Sequence, residues 1–356
     1  MDKSKGRWVR GMLGLFLALC VLCAGTVRLV DPFFHYRDPD YNAEVWFDQR
    51  AQSAGLLRSQ QYETVFLGSS LAANYQAYWF DLFYGTKTVK VSFPNGGFGE
   101  FDQALEYAYT RQEVKRVIFG MDPNLLTRDP AEDPDQLPRY LYDNNPWNDG
   151  QYLLNKDAFL RSGYTVLKKL RGETQPIYDA FVWDGNILFS RELALAGYSR
   201  PEVRGETLPA DAFLESTRAH LATVTGWLEA HPETEFVIYF PPYSILFWDR
   251  AQRLGETDAV FAALAEAIET LLPYENADVQ CFMDDLPAIT DLDNYADHIH
   301  AAGRVTCQLA KDLPTGVFRL REETWRGRLD ALRDFVVNYD YDSIFEAEPG
   351  EAAPAS

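Results

Sequence analysis

Thr64-Val-Phe-Leu-Gly-Ser-Ser-Leu71 is a short run of β-branched and aromatic residues that stops at a glycine and two hydroxyls. Such a run reads as a strand, and Gly68-Ser69-Ser70-Leu71 stands where that strand turns toward a helix. The same grammar recurs downstream. Residues 88–93 lead into Pro94-Asn95-Gly96-Gly97, 116–119 into Gly120-Met121-Asp122-Pro123-Asn124, and 236–240 into Pro241-Pro-Tyr-Ser244, while 279–283 precede Asp291-Leu-Asp-Asn-Tyr-Ala-Asp297-His298-Ile-His300. Between these runs, apolar residues recur at three and four spacing over 98–111, 211–230, 257–272 and 301–313, which predicts helices. Strands alternating with helices imply an α/β fold with a parallel five-stranded sheet covered on both faces.

In an open sheet of this kind ligands gather beyond the carboxyl ends of the strands. Every polar cluster just quoted falls on that one rim. A serine hydroxyl attacks only when a base takes its proton, a third group orients the base and N–H donors hold the developing oxyanion. Ser70 supplies the nucleophile, His300 the base and Asp297 the orienting carboxylate, three residues before His300 and one turn away if His300 opens the last helix. Gly97, with the Ser70 backbone, supplies part of the oxyanion hole. Of the other histidines, His35 follows an apolar N-terminal run, His220 and His231 belong to a long helix, and His298 is the neighbour of His300.

Working outward, about ninety residues at 125–209 separate the third and fourth strands, far more than a crossover needs, and are read as an insertion or cap. Arg139-Tyr-Leu-Tyr-Asp-Asn-Asn-Pro-Trp-Asn-Asp149 and Phe181-Val-Trp-Asp-Gly185 place aromatic faces beside amides, a composition that suits carbohydrate and equally a lid packed on the main domain. The chain opens with Lys3, Lys5, Arg7 and Arg10, then an apolar run over 11–27 that Leu29 and Val30 can extend. A basic flank before such a run is a secretory signal or a signal anchor. No small-residue cleavage site follows, so residues 1–30 are read as an uncleaved transmembrane anchor with the remainder extracytoplasmic. The expected organisation continues with a juxtamembrane segment and first helix at 31–61, an α/β domain at 62–320, a C-terminal helix and docked tail at 321–345, and a disordered tail at 346–356. The net charge of −20, from 53 acidic and 33 basic residues, repels polyanions and excludes nucleic acid as a partner. Cys281 and Cys307 can bridge or stay free, with no metal-ligand spacing around either.

Gly68-Ser-Ser-Leu71 resembles the GDSL block of SGNH/GDSL hydrolases, residues 92–97 resemble their glycine block, and Asp297-His298-Ile-His300 resembles their C-terminal Asp-x-x-His block. The likeness runs from about residue 65 to 313. Asp31-Pro-Phe-Phe-His-Tyr36, Gly120-Met-Asp-Pro-Asn124 and Asn338-Tyr-Asp-Tyr-Asp342 look like a group of bacterial, membrane-anchored SGNH-like proteins. The resemblance implies a flavodoxin-like three-layer α/β/α fold, a triad of Ser70, Asp297 and His300, no metal or organic cofactor, and an ester substrate such as an O-acyl group on carbohydrate or a cell-envelope polymer. One position departs from it. Where many members carry Gly-x-Asn-Asp, with the asparagine donating to the oxyanion, this chain has Gly120-Met-Asp122-Pro. An ionised Asp122 cannot donate; either Asn124 or Asn95 substitutes, or the protein is a silent SGNH-fold glycan-binding or envelope-assembly protein.

Overall fold

Five parallel strands, β1 (Thr64–Gly68), β2 (Thr88–Ser92), β3 (Arg116–Gly120), β4 (Glu235–Phe240) and β5 (Ala277–Cys281), stand in the order β2-β1-β3-β4-β5. The register sets Leu67 beside both Val91 and Phe119, and Ile238 beside Val279. All of β1 is buried, as a central strand covered on both faces requires. The computed structural model describes residues 3–346, so nearly all of the tail expected to be disordered lies outside the described residues.

Alternate side chains of each strand enter different cores, the period-two consequence of the pleat. Val65, Leu67, Val117, Phe119, Phe236 and Ile238 point to one side. There they meet α2 (Gln49–Ser59), α4 (Phe98–Arg111), α9 (Leu214–Ala230) and α11 (Thr257–Leu271). Phe66, Ile118, Val237 and Tyr239 point to the other, against α3 (Ala77–Tyr84) and α13 (Gly303–Asp312). Burying one such Phe stabilises the fold by roughly 2–3 kcal/mol. Layers of helix therefore lie on both faces of the sheet.

The chain before the sheet is α1 (Lys3–Val30), and its stretch Gly6–Val30 contains an 18-residue run with a mean hydropathy of 2.3. Among the described residues it is the one helix long and apolar enough to cross a membrane. It stops at Asp31, which adopts a positive φ of 49°. The Asp31 carboxylate then accepts the N–H groups of His35, Tyr36 and Arg37 and the Tyr152 hydroxyl, so the aromatic segment at 31–36 folds back on the protein.

Between β3 and α9 the chain passes through α5 (Pro123–Thr127), α6 (Gly150–Leu153), α7 (Lys156–Leu170) and α8 (Arg191–Ala196), joined by turns. After β4 come α10 (Ile245–Arg253), and after β5 α12 (Leu286–Thr290). The last helix, α14 (Trp325–Val337), leads to a segment docked by buried Tyr341 and Ile344. Arg200 ties that segment down, reaching Asp342 at 2.8 Å and stacking 4.1 Å over the Phe345 ring. All four cysteines are free thiols, and burial pushes the Cys281 thiol up to about 12.

Candidate active site

Strand order reverses at β1, with β2 on one side and β3 on the other, which makes the β1 and β3 carboxyl ends the switch point of the sheet. Ser70 begins a 3-10 turn, Ser70–Ala72, directly beyond β1. Ser69 accepts the Leu71 N–H at 3.3 Å and donates its own hydroxyl to Asp122 at the end of β3, at 2.9 Å. Below the turn, the ammonium of Lys90 on β2 donates to the carbonyls of Ala73 and Tyr75 at 2.7 and 2.6 Å. Burial lowers Lys90 to about 7, and its two bonds fix the path of the chain that follows Ser70. No acceptor among the described residues takes the Ser70 N–H.

The other half of the site comes from the loop after α12. The Asp297 carboxylate accepts the N–H groups of Ile299 and His300 on Oδ1, each at 2.8 Å, and faces His300 Nδ1 with Oδ2 at 2.6 Å. His300 Nε2 lies 3.0 Å from Ser70 Oγ. With the ring proton on Nδ1, directed at Asp297, Nε2 is free to accept the serine proton. Burial raises the Asp297 carboxyl, but the His300 ring and the two backbone N–H groups outweigh it and hold the group down at about 2. The sequence expectation that His300 opens the last helix is corrected here: α13 starts at Gly303. Asp297 captures the two N–H groups that would otherwise begin a helix, a local side-chain turn competing with helical bonding.

Each remaining candidate residue has a definite place. Gly97, expected in the oxyanion hole, directs its N–H to Glu100 Oε2 at 3.3 Å as the cap of α4. A Cβ there would meet the Pro134 carbonyl at 2.8 Å, so this N–H is engaged and covered. Asn95 is exposed and accepts from Arg128 at 2.8 Å. Asn124 is exposed and gives its N–H to Asp122 Oδ1 at 3.2 Å. Asp122 is buried as the N-cap of α5, and that burial lifts its carboxyl to about 6 against the bonds from Ser69 and Asn124. The His298 carbonyl accepts the Ser244 N–H and hydroxyl, and burial lowers its ring. His35 binds Asp149, His220 stacks on Phe98 and His231 on Tyr109, which leaves His300 alone at the serine.

The segment between β3 and α9 adds residues whose role the sequence did not reveal. The indole of Trp183 makes an edge contact with the His300 ring at 5.7 Å, and the Trp183 backbone N–H donates to Oδ1 of buried Asn74 at 3.2 Å. Asp184 accepts the Gly303 N–H at 2.7 Å. This strap thus joins the turn after Ser70 to the helix after His300. Gly197, at the end of α8, abuts the loop of the acid: a Cβ would meet the Ala296 carbonyl at 2.6 Å and Asp297 Cβ at 3.1 Å. Gly197→Ala is expected to push the carboxylate off its line and, for the esterase or transferase activity proposed below, to lower turnover about 10²-fold, the cost of a misplacement near 1 Å. Steady-state kinetics beside an unchanged thermal transition would show it, and full activity would dissociate this packing from the triad.

Among the described residues no three His, Cys, Asp or Glu side chains gather so as to hold a metal ion. A separate cleft of about 570 Å³, lined by Phe33, Phe47, Arg50, Pro94 and Tyr140, lies away from the relay. No family model matches the chain, and no curated protein matches it. A solved structure from Streptococcus pneumonia, described as "a putative platelet activating factor", is similar over 76% of this chain and 89% of its own, with 10% identity and a TM-score of 0.39. A likeness of that size carries no argument about chemistry.

Proposed function

We propose that this chain is a membrane-anchored, extracytoplasmic serine esterase or O-acyltransferase of SGNH type, acting on O-acylated carbohydrate or another envelope polymer through an acyl-enzyme on Ser70. The observation that carries the reading is the relay from Ser70 Oγ to His300 Nε2 at 3.0 Å and from His300 Nδ1 to Asp297 at 2.6 Å. In the first step Ser70 Oγ bonds to the ester carbonyl carbon as its proton passes to Nε2; the tetrahedral intermediate collapses, and the leaving alcohol takes that proton from His300. Water or a sugar hydroxyl then repeats the sequence on the acyl-enzyme. The Ser70 N–H, which no acceptor among the described residues takes, is the backbone donor proposed for the developing oxyanion. The basic flank before the span keeps the N-terminus cytoplasmic and the domain outside. Exposed Trp183 beside the triad, in a segment rich in amides, supports a sugar-bearing substrate.

Asp122 favours a second reading, a binding or assembly protein without turnover, because an ionised carboxylate opposes an oxyanion. Treating the full chain in its membrane with a fluorophosphonate probe separates the two. The expected result is one adduct, on the peptide carrying Ser70, absent from Ser70→Ala and strongly reduced in His300→Ala. A folded protein that takes no label, yet binds glycan equally with and without the serine hydroxyl, selects the second reading.

A further inference from the structure

Helix α7 is inverted relative to what a water-bathed helix requires. Its buried positions, Ala158, Ser162 and Thr165, are small or polar and repeat at four and three spacing. The opposite side carries Phe159, Leu160, Val166, Leu167 and Leu170, all exposed, Leu160 at 56% and Leu170 at 81%. A helix beside water places its large apolar residues on the buried stripe; small residues at the contact and large ones outward are the arrangement used where the surroundings are lipid.

The position of α7 agrees with its composition. The last third of α1 is covered on one side by α6 and α7, with Val27 fully buried and the Cys23 thiol 3.6 Å from the Leu153 carbonyl. α7 therefore sits beside α1 where that helix leaves its apolar span and the chain turns at Asp31. Two neighbouring residues continue the apolar surface: Leu154 is 54% exposed and Trp147 93%. Trp147 belongs to the turn whose Asp149 binds His35 and Tyr36, just past the span, and indole side chains favour that depth of a bilayer. Charge points the same way. In a chain of net charge −20, residues 156–171 carry Lys156, Arg161, Lys168, Lys169 and Arg171 against Asp157. Lys168 reaches Glu173, Lys169 shares the buried Glu44 with Arg37, and Arg161 lies 4.9 Å over the Phe47 ring.

We infer that α7 is an interfacial helix, laid into the anionic bilayer leaflet from which α1 emerges, with its Phe159, Leu160, Leu167 and Leu170 face among the acyl chains and exposed Lys156 and Arg171, at its two ends, at the headgroups. A large apolar face combined with a basic flank is the signature of helices that lie in the membrane plane. The inference rests on the anchor reading of α1 and adds a second attachment, which fixes the tilt and height of the catalytic rim above the membrane.

The full chain is reconstituted in vesicles of phosphatidylcholine with phosphatidylglycerol, doped with a phospholipid bearing a diazirine on its acyl tail, and adducts are mapped by mass spectrometry after illumination. Adducts are expected on α1 and also on peptides from 156–171. Leu160→Glu combined with Leu167→Glu, both at exposed positions, is expected to reduce the α7 adducts about tenfold and to leave those on α1 and the thermal transition unchanged. Omitting phosphatidylglycerol is expected to lower α7 adducts by roughly fivefold or more. Normal labelling of α1 with none on α7 overturns the inference while sparing the anchor. Crosslinks between the α7 helices of two copies, formed when a bifunctional lysine reagent is added to the same vesicles, overturn it in favour of a protein interface. A chain unlabelled in α1 as well sinks the anchor reading and this one with it.

Discussion

Exchanging Asp297 for asparagine is expected to reduce turnover by about 10⁴-fold, the loss seen when the orienting carboxylate of a serine triad becomes an amide. The local geometry dictates which way the amide sits. Oδ1 of the present carboxylate accepts the N–H groups of Ile299 and His300, and only the oxygen of an asparagine can do so. Its NH₂ must then face His300 Nδ1 and donate to it, which drives the ring proton onto Nε2. A protonated Nε2 points a donor at Ser70 Oγ and cannot take its proton. The backbone turn survives, so the loss is one of proton placement rather than folding. Stability has a defined pH dependence as well. The Asp297 carboxyl is depressed to about 2 from an ordinary 3.8, so its contribution is fully present above about pH 4 and lost as the pH falls through about 2. The variant should therefore be less stable at neutral pH by on the order of 1–2 kcal/mol and equal to the parent in strong acid. Paired kinetics and thermal melts across pH check both parts. Near-parental turnover would remove Asp297 from the relay.

The reverse exchange of character, Asp122→Asn, is expected to increase turnover. Burial lifts the Asp122 carboxyl to about 6; two pH units above that, about one molecule in a hundred carries the proton that turns this side chain from an acceptor into a donor. Asparagine supplies a donor at every pH. The gain is expected to be on the order of 10² at pH 8, matching the usual worth of one oxyanion donor, about tenfold at pH 7, and small below the carboxyl's own titration. Because the folded-state value lies above the ordinary 3.8, ionisation opposes folding, and the parent gains stability as the pH falls through about 6. Asp122→Asn should accordingly raise the melting temperature at pH 8 and not at pH 4. A fall in turnover across the whole range would show that the carboxylate works as a base toward Ser69 and not as an obstacle.

How far residues alone reached can be judged from particular elements. Every strand was legible because the runs at 64–68, 88–92, 116–120, 235–240 and 277–281 are buried over most of their length and carry β-branched, aromatic or other apolar residues between turn formers. The last was expected two residues late, since Phe282 and Met283 are as apolar as the strand but already belong to the following turn. Helices with one buried stripe, such as α4 and α11, were placed to within a residue. α3 escaped notice because its residues, Ala77-Tyr-Trp-Phe-Asp-Leu-Phe-Tyr84, are apolar around most of the helix, and α10 because its apolar residues stand together in Ile245-Leu-Phe-Trp248, a run too short to tell from a strand.

At the site, Ser70, Asp297 and His300 were legible because side chains of those types follow strands on one rim. Of the two backbone donors expected for the oxyanion, Ser70 and Gly97, the second is engaged elsewhere. Gly97 stands after a strand just as a donor should, but a glutamate three residues on, Glu100, takes its N–H, and whether such a capping bond forms depends on the geometry of the first turn. Trp183 and Asp184 lie in a stretch with no periodic pattern, and their contacts with His300 and Gly303 bridge 117 and 119 positions of sequence. No local signal encodes such a meeting.

Ser70 and His300 stand 230 positions apart. Synthesis from the amino end therefore completes the alcohol long before the imidazole it comes to face. Until the two meet, the hydroxyl is chemically ordinary. On the proposed chemistry, a chain cut short of His300 lacks the base that the serine needs, and it is an inert product rather than a promiscuous one.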